Sequence, residues 1–170
     1  MDNYPPSKGE IIIGNCCCGS TSSSSINPSQ PFFTQTEGTL AIPFGAGIET
    51  TVLSLPVTTT FNLQNVKLDY ALQLAFAFTA GNNNLDYGGR VRLRRDGVLL
   101  ATQTYTNAKS RTGNPQATVS RIILPNTWFD NEALLGQHTY TVTIEYYQRL
   151  LASTTLTVET RSLNAVVFGM

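Results

Sequence analysis

The sequence predicts an all-β protein: a jelly-roll-like two-sheet sandwich of eight to ten strands, preceded by an extended flexible N-terminal connector. Three observations predict it. In "VKLDYALQLAFAFT", Val66, Leu68, Tyr70, Leu72, Leu74, Phe76 and Phe78 fall on even positions, while Lys67, Asp69, Gln73 and Thr79 fall on odd ones. That period of two marks a long strand with one buried face. Similar runs recur along the chain, separated by Gly, Pro and Asn turns. No convincing helical stretch of ten residues appears. The β domain is placed at 31–170, and at about 140 residues it suits a jelly roll better than a seven-strand immunoglobulin-like sandwich of about 100.

The elements follow in order. Residues 1–30 form the connector. They hold Pro5, Pro6, Gly9, Gly14 and Gly19, the run Ser20–Ser25, and Asn27-Pro28, a composition that behaves as a flexible linker. Within it stands "EIIIGN", whose β-branched Ile11, Ile12 and Ile13 favour an extended strand. Such a strand either adds to the edge of another subunit's sheet or packs back on its own domain. "GTLAIPF", "TTVLSL" and "VTTTFNL" are the first strands of the domain, with Pro43 and Pro56 placed at edges, bulges or strand starts. The alternating strand from Val66 comes next. "GNNNLDYGG" (Gly81–Gly89) reads as a loop. It is followed by Val91 and Leu93 alternating with Arg90, Arg92 and Arg94, and by Asp96-Gly97 as a two-residue hairpin turn. "ATVSRIIL" is a strand closed by Pro125-Asn126, and "WFDNEALLGQ" is expected to make one helical turn capped by Asp130. "HTYTVTIEYYQ" and "STTLTVETRSLNAVVFG" supply the last strands.

Composition excludes several functions. Charged residues are 13 % of the chain, and 11 Lys+Arg balance 11 Asp+Glu. There is no basic excess to hold a nucleic-acid backbone. A neutral surface rich in Thr, Ser, Asn and Gln repels copies of itself only weakly. No segment approaches a membrane span, and the N-terminus lacks the basic and apolar regions of a signal peptide. A protein made in the cytosol without the usual export signal is expected.

Chemistry is sparse. His138 is the single histidine, opening a strand beside Gly136-Gln137, and the β domain offers no second His or Cys to complete a metal site. No G-x-S-x-G elbow occurs, and the carboxylates are scattered. The expectation is no enzyme, no catalytic residues, no metal and no cofactor. Asn82, Asn83, Asn84 and Asp86 could offer oxygens to calcium, but Asn-rich loops are mostly turns. Arg90, Arg92 and Arg94 share one strand face, roughly 7 Å apart. They read as a solvated ladder pairing with Asp69, Glu145 or Glu159, as an anion or polysaccharide patch, or as an intersubunit contact. Among the aromatics, Tyr70, Tyr140 and Tyr146 are in phase with the core, whereas Trp128, Phe129 and Tyr147 are freer to meet a partner. Arg90, Arg92, Arg94, Trp128 and Tyr147 are therefore the candidate interface.

The three cysteines are adjacent, Cys16, Cys17 and Cys18. Neighbouring Cα atoms sit about 3.8 Å apart, below the roughly 4.4–6.8 Å a disulfide prefers. An odd count on a flexible tail points to intermolecular disulfides. Palmitoylation, metal binding by several chains, or an inert reduced run are the other readings.

"EIIIGNCCCGSTSSSS" followed by one Thr-rich, charge-poor β domain ending in "SLNAVVFGM" resembles the subunits of bacterial endospore appendages. It is also similar to cysteine-bearing exosporium and spore-coat proteins of Firmicutes. The resemblance implies a self-assembling structural subunit of a spore-surface fibre, whose connector reaches neighbouring subunits by β-strand augmentation and intersubunit disulfides. The implied partners are copies of itself and other spore-surface proteins, with neither nucleic acid nor membrane. Connectors of that family also cross-link to cysteines in the jelly roll. The β domain here has none, so Cys16–Cys18 would bond other connectors. Synthesis in a mother cell that later lyses would account for disulfides without a signal peptide. A jelly-roll carbohydrate-binding or adhesin module, and a viral capsid or fibre jelly roll, are the alternatives.

Overall fold

The computed structural model describes residues 28–81, 84–113 and 116–169. The connector's isoleucines and cysteines lie outside the described residues. The described residues form nine strands: β1 (Gln30–Thr36), β2 (Leu40–Ile42), β3 (Glu49–Thr59), β4 (Gln64–Phe78), β5 (Asn84–Arg95), β6 (Val98–Ser110), β7 (Thr118–Ala133), β8 (Gly136–Arg149) and β9 (Thr155–Val167). The described residues contain no helix.

Pairing is antiparallel throughout the two sheets. One sheet has the order β1-β9-β4-β7, with β2 also on β9, and the other has the order β3-β8-β5-β6. The logic is a single long ribbon. β5 turns back as β6, then β4 meets β7, β3 meets β8, and β1 meets β9. Wrapping that ribbon round itself brings β4 onto β9 and β5 onto β8, which makes the jelly roll.

The alternation in β4 drives the packing. Val66, Leu68, Leu72, Leu74 and Phe76 are fully buried, and Tyr70 and Phe78 nearly so. Burying each such side chain stabilises the fold by about 1.5–3 kcal/mol. Across the sandwich Phe76 stacks on Tyr87 of β5, with centroids 3.8 Å apart and planes at 24°. Tyr140 and Tyr146 of β8 enter the same core. Gly89 meets a different demand. A Cβ there would fall 2.3 Å from both the Glu145 carbonyl oxygen and the Tyr105 hydroxyl, so only glycine lets the Tyr105 ring lie across β5. The Asp96-Gly97 turn is as expected, with φ of +50° and +84°.

Two local expectations are corrected. Trp128–Ala133 does not turn into a helix but extends β7 to 16 residues. Asp130 accepts the N–H of Glu132 at a register shift against β4, and its carboxylate is held by Arg95 and Tyr140 of the opposite sheet. It caps a bulge that inter-sheet bonds fix in place. Asn84–Gly89, expected in a loop, belongs to β5, because Leu85 and Tyr87 continue the inward parity of Val91 and Leu93. The strand end expected at Pro125-Asn126 is corrected too: both residues lie inside β7, which tolerates the proline because it is an edge strand.

Candidate assembly surface

The arginine strand is built by parity. Arg90, Arg92 and Arg94 point away from the core on β5, and β8 places Glu145 directly opposite Arg90. Glu145 Oε2 lies 2.8 Å from Arg92 Nη1 and 3.2 Å from Arg90 Nε. Neither contact has hydrogen-bond alignment, and both are Coulombic. Glu145 Oε1 accepts the N–H of Gly47 at 2.7 Å. The β2–β3 connection thus covers the carboxylate, leaving its side chain 3 % exposed. That Gly47 bond, then the arginine charges, outweigh burial and hold Glu145 below the usual carboxylate range.

Glu49 completes the ladder, bonding Arg92 Nη1 at 2.5 Å and Arg94 Nη2 at 3.0 Å, with Thr143 donating to its other oxygen at 2.7 Å. Burial pushes its pKa up, but the Thr143 and Arg94 hydrogen bonds and the Arg92 and Arg94 charges win and lower it. Arg90 also lies over Tyr147, 4.7 Å from the ring centroid. All three arginines are engaged inside the chain. Asp69 pairs with Lys67 at 3.0 Å, and Glu159 with Arg121 at 2.8 Å.

A second charged group joins the sheets. Arg95 Nη1 reaches both Asp130 oxygens at 2.6 Å, and the Tyr140 hydroxyl donates to Oδ2 at 2.7 Å. Burial, then the neighbouring Asp130 carboxylate, push the Tyr140 phenol strongly up. Sequence parity carried a signal for this pin. Arg95 follows Val91 and Leu93 on the inward side of β5, and Asp130 follows Ile122 and Leu124 on that of β7. A cation and an anion on core-facing positions need each other. His138 is similarly placed, its ring nitrogens 2.7 Å from Asp96 Oδ2 and 2.8 Å from the Leu134 carbonyl oxygen.

Trp128 and Phe129 are exposed near the end of β7, beside Leu99 and Leu100 of β6. The larger uncommitted surface was not among the sequence candidates. Among the described residues β7 pairs with β4 alone, so no described strand covers the other side of this 16-residue strand. Ile123 on that strand is 70 % exposed, next to a shallow depression lined by Ala71, Gln73, Thr160 and Ser162. Val119 and Phe129 add to the apolar edge. Alternation alone does not say which strand lies at an edge, so this surface needed the sheet order. No group of three or more His, Cys, Asp or Glu able to hold a metal is found among the described residues.

No family model matches the chain, and no curated protein matches it. Among solved structures it is similar to part of dimeric latent PorU from Porphyromonas gingivalis, with 14 % identity and a TM-score of 0.45, covering 88 % of this chain and 14 % of that one. It is also similar to part of the structure of infectious bursal disease virus Gx strain, with 11 % identity and a TM-score of 0.47, covering 84 % of this chain and 32 % of that one. The chain therefore spans a third or less of the length of these two. The fold assignment rests on the sheet order described above.

Proposed function

We propose that the protein is a structural subunit that polymerises with copies of itself into an extracellular, spore-surface fibre. The observation that carries this reading is the β7 edge. A long strand whose outer side is unpaired among the described residues, with Val119, Ile123 and Phe129 exposed, is a template for pairing with another chain. Natural β proteins usually blunt such an edge with charge, and Arg121 is the one basic residue on β7. Residues 1–30 supply the longitudinal link. Ile11–Ile13 add a strand to a neighbour's sheet, and Cys16, Cys17 and Cys18 lock connector to connector. The spacer Gly19–Gln30 spans up to about 40 Å when extended, enough to reach the next domain. Engagement of Arg90, Arg92 and Arg94 within the chain disfavours the polysaccharide-patch alternative.

A non-reducing denaturing gel of the air-oxidised chain, with residual thiols blocked, tests the lock. A ladder that collapses on reduction to one 18.5 kDa band is expected. The triple variant C16S/C17S/C18S should give only that band. A wild-type chain that stays monomeric in both lanes would remove the covalent lock from the mechanism.

A further inference from the structure

The two poles of the sandwich differ. One pole carries the β3–β4 loop, the β5–β6 turn and the β7–β8 turn, since Thr59 pairs with Gly136, Gln64 with Ala133, and Arg95 bonds Asp130. Leu63, Val98, Leu134 and Leu135 are each more than half exposed there. Hydrogen bonds tie these loops into one face. Asn62 Oδ1 accepts the Leu135 N–H at 3.0 Å, Thr59 Oγ1 bonds the Leu134 carbonyl, and His138 bridges Leu134 to Asp96 of the β5–β6 turn. Exposed apolar groups held on so many anchors form a stable face. Its uncompensated charge is acidic: Glu132 is exposed and has no ion-pair partner among the described residues, while Asp96 is shared only with His138.

The opposite pole carries the β8–β9 loop and the far end of the β5–β6 hairpin. Its apolar groups are Phe44, Leu150 and Leu151. Its charge is basic. Arg149 bonds the carbonyls of Ala152 and Thr154 and lies over the Phe44 ring, Arg111 bonds Thr118 and the Gln116 carbonyl, and Lys109 stands beside Arg111. Asp86 is the described carboxylate at this pole not already spent on the arginine ladder.

We infer that the acidic, leucine-rich pole of one copy docks end-on against the basic pole of a second copy. Unlike poles attract and like poles repel, so the contact is head-to-tail and extends into an open stack or ring. Pro28, the first described residue, lies beside Phe61 and Gln64 at the acidic pole. This contact rests on the reading of the chain as a self-assembling subunit, but it needs no disulfide.

Complementation tests it. The full chain, reduced, with its thiols alkylated and with Ile123→Lys charging the β7 strand so that edge pairing does not contribute, is followed by sedimentation velocity over a concentration series. Reversible association weakened by salt is expected. L134S/L135S strips the apolar contact from one pole without adding acid, L150D/L151D blocks the other, and each variant alone should be monomeric with an unchanged far-ultraviolet circular dichroism spectrum. Mixed one to one, they retain one good junction and should form dimers and nothing longer. Dimers of L150D/L151D alone would mean a contact between like poles and overturn the inference. So would a mixture that stays monomeric, or an alkylated Ile123→Lys chain that never associates. The last result beside an oxidised ladder would leave the disulfide-linked subunit standing without the end contact. Association of the alkylated chain without any ladder would do the reverse.

Discussion

The outer faces of the two sheets carry the same device to different ends. On the sheet of β1, β9, β4 and β7, Arg121 grips Glu159 with two hydrogen bonds of 2.8 and 3.0 Å, reaching across Ala75 of β4. On the sheet of β3, β8, β5 and β6, Arg92 and Arg90 meet Glu145 in poorer alignment. Geometry alone would favour the first pair. Water decides otherwise. The Arg121 side chain is half exposed, whereas Glu145 lies beneath the β2–β3 connection with the Gly47 N–H on it. An exposed pair exchanges one good environment for another, so its loss matters little. A covered pair has already lost its water, so removing one partner strands the other. The covered face is internal architecture, whereas on the other face Ile123 and Phe33 stand exposed among the described residues.

The largest effect is therefore expected from Glu145→Ala. It leaves Arg90 without its carboxylate and Arg92 with Glu49 alone, and it removes the acceptor for Gly47. The cost should be about 3 kcal/mol, at the low end for a broken buried pair because Arg90 is partly exposed. Urea denaturation measures it. Glu145→Gln keeps an oxygen for Gly47 and should recover part of the loss, separating the covering bond from the charge. If Glu145→Ala costs no more than Arg121→Ala, the contrast between the faces is wrong.

Much of this was readable beforehand and some was not, for physical reasons. Period-two alternation reports which side of a strand is buried, so the core positions of β4, β5 and β8 and the Asp96-Gly97 turn were legible. Alternation is silent about neighbours. The β1-β9-β4-β7 order, and hence the β7 edge, arises only when the ribbon wraps. Glu145 was a candidate partner of the arginines, because cross-strand pairing is local. Glu49 was not, since its approach to Arg92 and Arg94 depends on β3 flanking β8 at the sheet edge. Asp130 misled because a short Asp-led stretch reads equally as a helix cap or a bulge, and only its buried partners decide.

A smaller effect separates the faces by titration. Glu145 and Glu159 both lie below the ordinary carboxylate value of 4.5, for different causes: the Gly47 N–H leads for the first, the Arg121 hydrogen bond for the second. A depressed folded pKa means the unfolded chain binds the proton more readily. The stability Glu145 contributes is thus full above about pH 4.5 and is lost as pH falls through its lowered folded value. Carboxyl-carbon NMR titrations at low salt and near 1 M salt distinguish the two. At 1 M the screening length is about 3 Å, so the exposed Glu159 should move back toward 4.5 while Glu145 stays low. Equal salt sensitivity would show that the β2–β3 connection does not exclude solvent.

The smallest effect is the most pointed. Arg121→Ala removes a bidentate ion pair that looks strong, yet the urea midpoint should not shift resolvably. The reason lies in what remains. Glu159, released, is hydrated where it stands, and Ala75, opposite Arg121 on β4, asks for no new contact. The same change should be felt in assembly, because Arg121 is the one basic residue on the β7 edge strand. Removing it takes away a charge that limits edge-to-edge pairing, so the variant should associate at lower protein concentration than the wild type in an alkylated sedimentation series. Unchanged stability with stronger association would place Arg121 among the groups that regulate contact between copies. A stability loss as large as that of Glu145→Ala would mean that the Arg121 face is as much a part of the fold as the covered one.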